Sequence, residues 1–181
     1  GRPFKLDWVS VYSFNCRRID RFVHDRVIFL GDSAHVVSPF GARGGNGGMH
    51  DVDNLCWKLA RVVRGESDES LLESYNTERV HGADENISNS SWTSRFMSPE
   101  QGVEMAFRNA ALSLAVDTPF ARRVVNAGRL SVPCRLIDSE LNSADDTGLD
   151  VPQEIGMVAL DAPLTAPDGS RSWLMRQLGG G

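Results

Sequence analysis

The sequence predicts an α/β fold, and three observations predict it. Val27-Ile-Phe-Leu30 is a short, wholly apolar run stopped by Gly31-Asp32, the pattern of a strand buried on both faces in a parallel sheet. Gly41, Gly44, Gly45, Gly47 and Gly48 then crowd into eight positions. Apolar residues beyond them recur every three or four positions, as on the inward faces of successive helices.

Each element has its own signature. Trp8 to Phe14 alternates apolar and polar positions around Val9 and Val11, which predicts a half-buried strand. Val27–Leu30 predicts the buried strand. The glycine-dense segment predicts a loop with unusual backbone angles, because glycine weakens regular structure and permits positive φ. A helix is expected from near Asn46, carried by Val52, Leu55, Cys56, Leu59, Ala60 and Val63 and ended by Gly65. Leu71, Leu72, Tyr75, Val80, Ala83 and Ile87 predict a longer helix running toward Phe96. Ser98-Pro-Glu-Gln101 reads as an N-cap serine, a proline at the first helical position and a capping-box glutamine. Val103, Ala106, Phe107, Ala110, Ala111 and Leu114 predict the helix that follows, and Pro119 to Ala127 a fourth, closed by Gly128. Residues 138–152, rich in Asp, Ser, Asn and Gly, predict a linker or exposed loop.

Composition sets the class. The chain has 181 residues, 41% hydrophobic and 24% charged, enough for one good domain. A formal net charge of -5 argues against nucleic acid or an anionic membrane as partner, since both demand a basic face. No apolar run reaches the ~20 residues that span a bilayer. Cys16, Cys56 and Cys134 are odd in number and far apart, which predicts reduced thiols in a cytoplasmic protein with no metal site. Gly1 in place of Met, and Gly179-Gly-Gly181 with no closing element, read as cuts at both ends. The chain is therefore expected to be part of a longer polypeptide.

Arg26 to Leu59 carries the chemistry. An acidic group at the carboxyl end of a parallel strand lies where ligands sit in open α/β sheets, and a carboxylate there accepts hydrogen bonds from sugar or polyol hydroxyls. Glycines let backbone N–H groups approach a flat or anionic ligand, and a helix N-terminus adds about half a positive charge. The same order of strand, glycine loop and helix also occurs as a plain connection. The residues alone leave both readings open.

Gly31-Asp32-Ser33-Ala34-His35, Ser38-Pro39, Gly41-Ala-Arg-Gly44-Gly-Asn46, Asp51-Val-Asp-Asn54-Leu55 and Trp57-Lys58-Leu59 follow in order. Together they resemble the second flavin fingerprint of group A FAD-dependent aromatic hydroxylases, the p-hydroxybenzoate, phenol and hydroxyphenylpropionate hydroxylases among them. Ser74-Tyr75 and Glu78-Arg79 fit the same family. The resemblance implies the C-terminal portion of a two-domain FAD-binding fold. On it, residues 1–25 are the last part of a substrate-binding sheet and 26–137 the C-terminal part of the FAD-binding domain with its helices. Residues 138–152 are a linker, and 153–181 resemble the start of a thioredoxin-like domain, with a structural or oligomer-contact role such as a homodimer interface.

The implied activity is hydroxylation of an aromatic, phenolic substrate with FAD, NAD(P)H and O₂. By resemblance, Gly31 and Gly41 shape the cofactor site and Asp32 binds the ribityl hydroxyls. Pro39 lies beside the flavin ring and the substrate, its carbonyl facing the reacting hydroxyl. Gly44, Gly45 and Asn46 bring N–H groups to the flavin N1–C2=O edge. Asp51, Asn54 and Trp57 are expected to hold the helix to the sheet, His35 to pack or hydrogen-bond near the cofactor, and His50 to lie on the helix surface. Three positions depart from the family pattern. Ser38 replaces a common first proline and predicts a less rigid loop, Arg43 stands for Gln or Lys, and Val52 stands for an alanine and bears on helix packing. The Gly-x-Gly-x-x-Gly and middle Asp-Gly fingerprints of the family are not among the 181 residues, so weak or no FAD binding and no activity are expected of the chain by itself. Another FAD-dependent oxidoreductase or epoxidase, a polyketide-tailoring hydroxylase for instance, and a non-catalytic remnant or binding module remain alternatives.

Overall fold

The computed structural model describes residues 3–125, 133–144 and 154–178. Its first elements are the short strands β1 (Arg17–Arg18), β2 (Val23–His24) and β3 (Val27–Ile28), a 3-10 turn at Gly31–Ser33, and β4 (His35–Val36). Four helices follow: α1 (Arg43–Val63), α2 (Leu71–Met97), α3 (Val103–Ala115) and α4 (Pro119–Val125). A small unit of β5 (Pro163–Thr165), β6 (Arg171–Trp173) and α5 (Leu174–Gln177) lies near the C-terminal end.

The strands differ from expectation. β1 pairs with β4, β2 with β3 and β5 with β6, all antiparallel. No parallel pair occurs among the described residues. A parallel strand needs a neighbour reached through a crossover, and the described residues supply none beside Val27–Leu30. The run instead turns back through Asp25 (φ 50) and pairs over two residues, leaving Val27 57% exposed. Trp8–Phe14 forms no strand either, and Trp8, Val9 and Val11 face solvent. Alternation gives a segment two faces, but a strand also needs a partner for its backbone.

The core sits where the hairpin and β4 meet α1 and α2. Phe22, Val23, Ala34, Leu55, Leu72, Tyr75 and Ala83 form it, with Ile19, Ile28, Phe29, Val62 and Val80 packed against it. Polar links fix the hairpin: Asn76 Oδ1 accepts the Phe22 N–H at 2.7 Å, and the Tyr75 hydroxyl donates to the Phe29 carbonyl at 2.9 Å. Arg18 grips Asp84 with two nitrogens at 2.7 and 2.9 Å, tying β1 to α2.

The helices run as their apolar spacing predicts, except at their starts. α1 begins at Arg43 and takes in Gly44, Gly45, Gly47 and Gly48, so most of the expected glycine loop is helix. Only Gly41 (φ 92) and Ala42 (φ 53) hold the left-handed region there. Glycines inside a helix cost about 1 kcal/mol each relative to alanine, and close approach explains two of them. A Cβ on Gly47 would lie 3.0 Å from His35 Cε1, and one on Gly48 3.6 Å from Gly31 Cα. Helix α3 starts after Gly102 (φ 91) with no side-chain cap, while Ser98 closes α2. The expected capping box is absent: the Glu100 N–H donates to Glu104 Oε2 at 3.0 Å. Gly128, the expected stop of α4, lies outside the described residues.

A polar segment resembling the predicted linker follows. Within it Ser139 Oγ donates to Glu78 Oε1, so its start is fastened to α2. Residues 145–152 of the linker fall outside the described residues.

Candidate flavin site

Two elements meet at the candidate site: the Gly31–Ser33 turn and the N-terminus of α1. The turn is closed on itself. Ser33 Oγ donates to the Leu30 carbonyl at 2.7 Å, and the Ala34 N–H donates to the Gly31 carbonyl at 2.9 Å. Gly31 is at φ 57, a conformation that disfavours other residues. Asp32, between these anchors, is exposed.

The second element is the start of α1. The loop before it is held by Ser38, only 3% exposed, whose hydroxyl lies 2.7 Å from Ser94 Oγ and 3.4 Å from the Ser90 carbonyl. Its N–H donates to Cys16 Sγ at 3.2 Å. Where relatives of the fingerprint have a proline ring, Ser38 ties this loop to α2 by hydrogen bonds. Pro39 is exposed, and its carbonyl accepts the Ala42 N–H at 3.1 Å, leaving one lone pair. Gly41 and Ala42 then swing the chain into α1. An L-residue in the left-handed region costs roughly 1–2 kcal/mol, and Ala42 carries that strain at the mouth of the helix.

The helix end is electrostatically open. Its N-cap is Ala42, no side chain caps it, and no acidic residue lies in its first turn. Asn46 Nδ2 donates back to the Ala42 carbonyl at 2.7 Å. Gly45 and Asn46 are exposed, and a Cβ on Gly45 would meet no described atom within 4 Å. Gly45 is therefore not required by packing within the chain, as Gly47 is. A bare, positively polarised helix end beside an exposed carboxylate fits a ligand carrying both hydroxyls and an anionic edge. The donor set fits the ribityl chain and the N1–C2=O edge of a flavin.

Beneath this exposed edge lies a buried ionic lattice between α1 and α2. Asp51, 0% exposed, accepts from the Gly31 N–H (2.8 Å), His35 Nε2–H (2.7 Å) and Arg79 Nε (2.6 Å). Burial pushes its pKa up, but the hydrogen bonds from His35, Gly31 and Arg79 outweigh this and hold it below the ordinary carboxylate value. His35 also stacks on Phe22, with ring centroids 5.7 Å apart. One turn and more along, Lys58 Nζ donates to Glu78 Oε2 (2.6 Å) and Asn54 Oδ1 (2.9 Å), and Asn54 Nδ2 to the same Glu78 oxygen (2.6 Å). Burial lowers the Lys58 pKa. The Glu78 carboxyl, raised by burial, ends lower through its bonds to Lys58, Ser139 and Asn54.

The expected roles sort accordingly. Asp51 and Asn54 are structural, but they bind α1 to α2 and to the Gly31 turn. Trp57, 39% exposed, joins nothing to a sheet and lies under Lys58 Nζ at 5.5 Å. Val52 is 40% exposed, so its substitution bears on no core packing. His50 is half-buried, and burial with Arg79 and Arg43 nearby lowers its pKa. The full part of Arg79 and Lys58 escapes apolar periodicity. A polar stripe did signal it: Asp51, Asn54 and Lys58 share one helical face. No cluster of three His, Cys, Asp or Glu side chains suited to a metal occurs among the described residues, and no helix there is long and apolar enough to cross a membrane.

Residues 2–90 match the FAD binding domain family. The proteins that the chain is similar to include FAD-dependent aromatic hydroxylases and other flavin-dependent monooxygenases. The chain is 32% identical over 196 residues to 6-methylpretetramide 4-monooxygenase of Streptomyces rimosus, covering 97% of this chain and 34% of that protein. It is 49% identical over 69 residues to the 3-(3-hydroxy-phenyl)propionate/3-hydroxycinnamic acid hydroxylase of Klebsiella pneumoniae, covering 38% of this chain and 12% of that one. Among solved structures, the rebeccamycin biosynthetic enzyme RebC with reduced flavin matches at a TM-score of 0.60 and 29% identity, over 81% of this chain and 30% of that one. The chain thus spans about a third or less of the length of these relatives.

Proposed function

We propose that this chain supplies the ribityl- and isoalloxazine-binding part of an FAD-dependent monooxygenase that hydroxylates an aromatic, phenolic substrate using NAD(P)H and O₂. One observation carries the reading: the Gly31–Ser33 turn, which carries the exposed Asp32, lies against the glycine face of α1, a helix whose N-terminus has no side-chain cap. Asp32 accepts hydrogen bonds from the ribityl hydroxyls. The amides of Gly44, Gly45 and Asn46, at the positive end of α1, stabilise negative charge on the N1–C2=O edge. Gly31 and Gly41 give the backbone turns that bring these groups together. Pro39 borders the ring and the substrate, its remaining lone pair open to the reacting hydroxyl. FAD, when bound, supplies the redox and oxygen chemistry that no side chain here provides.

In this reading residues 1–25 close a substrate-binding sheet and 26–137 complete the FAD-binding domain. Residues 153–181 begin a thioredoxin-like domain with a structural or dimer-contact role. The β5–β6 hairpin followed by α5 is consistent with the opening of such a unit.

The test is flavin content and turnover of the protein purified from its own gene. Bound FAD, NAD(P)H oxidation accelerated by a phenolic acid, and a product one oxygen atom heavier would establish the hydroxylase. Bound FAD with NAD(P)H consumption indifferent to every aromatic compound would favour another flavin oxidoreductase. Absence of flavin would leave a binding module.

A further inference from the structure

Asp51 is fully buried, yet it is bonded to the backbone N–H of Gly31, the residue before Asp32. Gly31 is fixed at both ends of its peptide geometry: its N–H donates to Asp51 Oδ2 at 2.8 Å and its carbonyl accepts from Ala34 at 2.9 Å. Asp32 is the next residue. Asp51 also lies on α1, the helix whose first turn carries Gly44, Gly45 and Asn46. Its side chain therefore joins the two halves of the candidate site directly. It is held in turn by His35 at 2.7 Å and, from α2, by Arg79 at 2.6 Å. Both partners are buried, at 4% and 3% exposure. A carboxylate with donors on both oxygens, one of them the Arg79 guanidinium, has little freedom to move.

We propose that Asp51 is a positioning residue for flavin binding: by clamping the Gly31 N–H to α1 it fixes the Asp32 carboxylate in register with the helix N-terminus. The proposal rests on the flavin reading given above. His35 and Arg79 act one step further back, holding the two carboxylate oxygens in place. Pure packing cannot replace the clamp. Where the Gly31 turn faces Gly48 of α1, neither residue has a side chain to interlock.

The experiment uses the protein purified from its own gene, not the 181-residue chain by itself, and measures FAD affinity for the wild type, D32N, D51N and D32N/D51N by quenching of flavin fluorescence. Amide hydrogen exchange is measured on the same proteins without FAD. D51N is expected to bind FAD roughly tenfold more weakly, the scale of one lost charged hydrogen bond. The double variant is expected to bind no more weakly than D32N, since Asp51 acts through Asp32. Exchange at Gly31–Ser33 is expected to rise in D51N while α2 stays protected, which a general loss of folding would not produce. D51N binding FAD as the wild type does, a penalty fully additive with that of D32N, or unchanged exchange at Gly31–Ser33 overturns the positioning role alone. A wild-type protein that binds no FAD overturns the flavin reading, and the ligand part of the proposal with it.

Discussion

Gly45 and Gly47 sit two residues apart in one helix and do opposite things. A Cβ at Gly47 would press on His35, which cannot yield because Asp51 and Phe22 hold its ring. G47A is therefore expected to destabilise the protein by roughly 1–3 kcal/mol, despite alanine's better helix propensity. At Gly45 a Cβ meets no described atom, so G45A is expected to leave the fold intact or stabilise it by up to about 1 kcal/mol. The same G45A change is expected to weaken FAD binding. Urea unfolding and flavin titration of the two variants check this, and equal effects of both on stability would refute the distinction. Acid tests the lattice beneath. Asp51 and Glu78 are both held below their ordinary values of 3.8 and 4.5. With folded pKa values depressed, their contribution is present above those ordinary values and is lost as pH falls through the folded ones. The melting temperature should therefore drop on acidification below about pH 4.5, less steeply in D51N and E78Q. A wild-type profile flat down to pH 3 would contradict it. The glycine-rich fingerprint reads in the sequence as a candidate ligand edge, whereas its glycines' service in helix packing was not legible, because composition cannot show what a helix lies against.

Helices α1 and α2 are joined as much by charge as by apolar packing. The apolar spacing of Leu55, Leu72, Tyr75 and Ala83 made both helices legible in the sequence, and those side chains are buried as that spacing requires. The pairing of Lys58 with Glu78 and of Asp51 with Arg79 was not legible, since it joins residues 20 and 28 positions apart. Only the packed helices bring them together. The start of α3 was misread for a related reason: Ser98-Pro-Glu-Gln101 has the composition of a cap, but the chain turns at Gly102 instead. The ionic joint makes a definite prediction. K58M leaves Glu78 buried with Asn54 and Ser139 as its remaining partners among the described residues, and is expected to cost roughly 3–5 kcal/mol. K58M/E78L, which removes both charges, is expected to recover much of that loss. Denaturant midpoints of the two variants decide it; a double variant as unstable as K58M would mean that packing, not the unpaired charge, sets the cost.

The whole chain exposes 13547 Å². A compact monomer of 19.9 kDa would expose about 8,700 Å². The excess includes much apolar surface: Phe4, Trp8 and Val11 are 84%, 78% and 94% exposed, and Val103 and Phe120 are 85% and 67% exposed on α3 and α4. Trp8 and Val11 belong to the alternating segment that failed to become a strand, Phe4 lies just before it, and Val103 and Phe120 lie on two helices with almost nothing buried. The spacing of Trp8, Val11 and Val103 is that of residues that seek cover, and within the described residues they do not find it. Surface of this kind binds other apolar surface. The 181-residue chain expressed by itself is therefore expected to elute above its monomer size and to bind the dye ANS. It is also expected to bind FAD weakly, because its sequence holds no Gly-x-Gly-x-x-Gly diphosphate-binding fingerprint beside the proposed flavin edge. If the isolated chain instead runs as a dye-silent monomer with tight FAD binding, the exposed faces are covered by its own residues and the site is more complete than its sequence implies. A longer form containing this chain that loses dye binding and gains FAD would identify the cover as part of the same polypeptide.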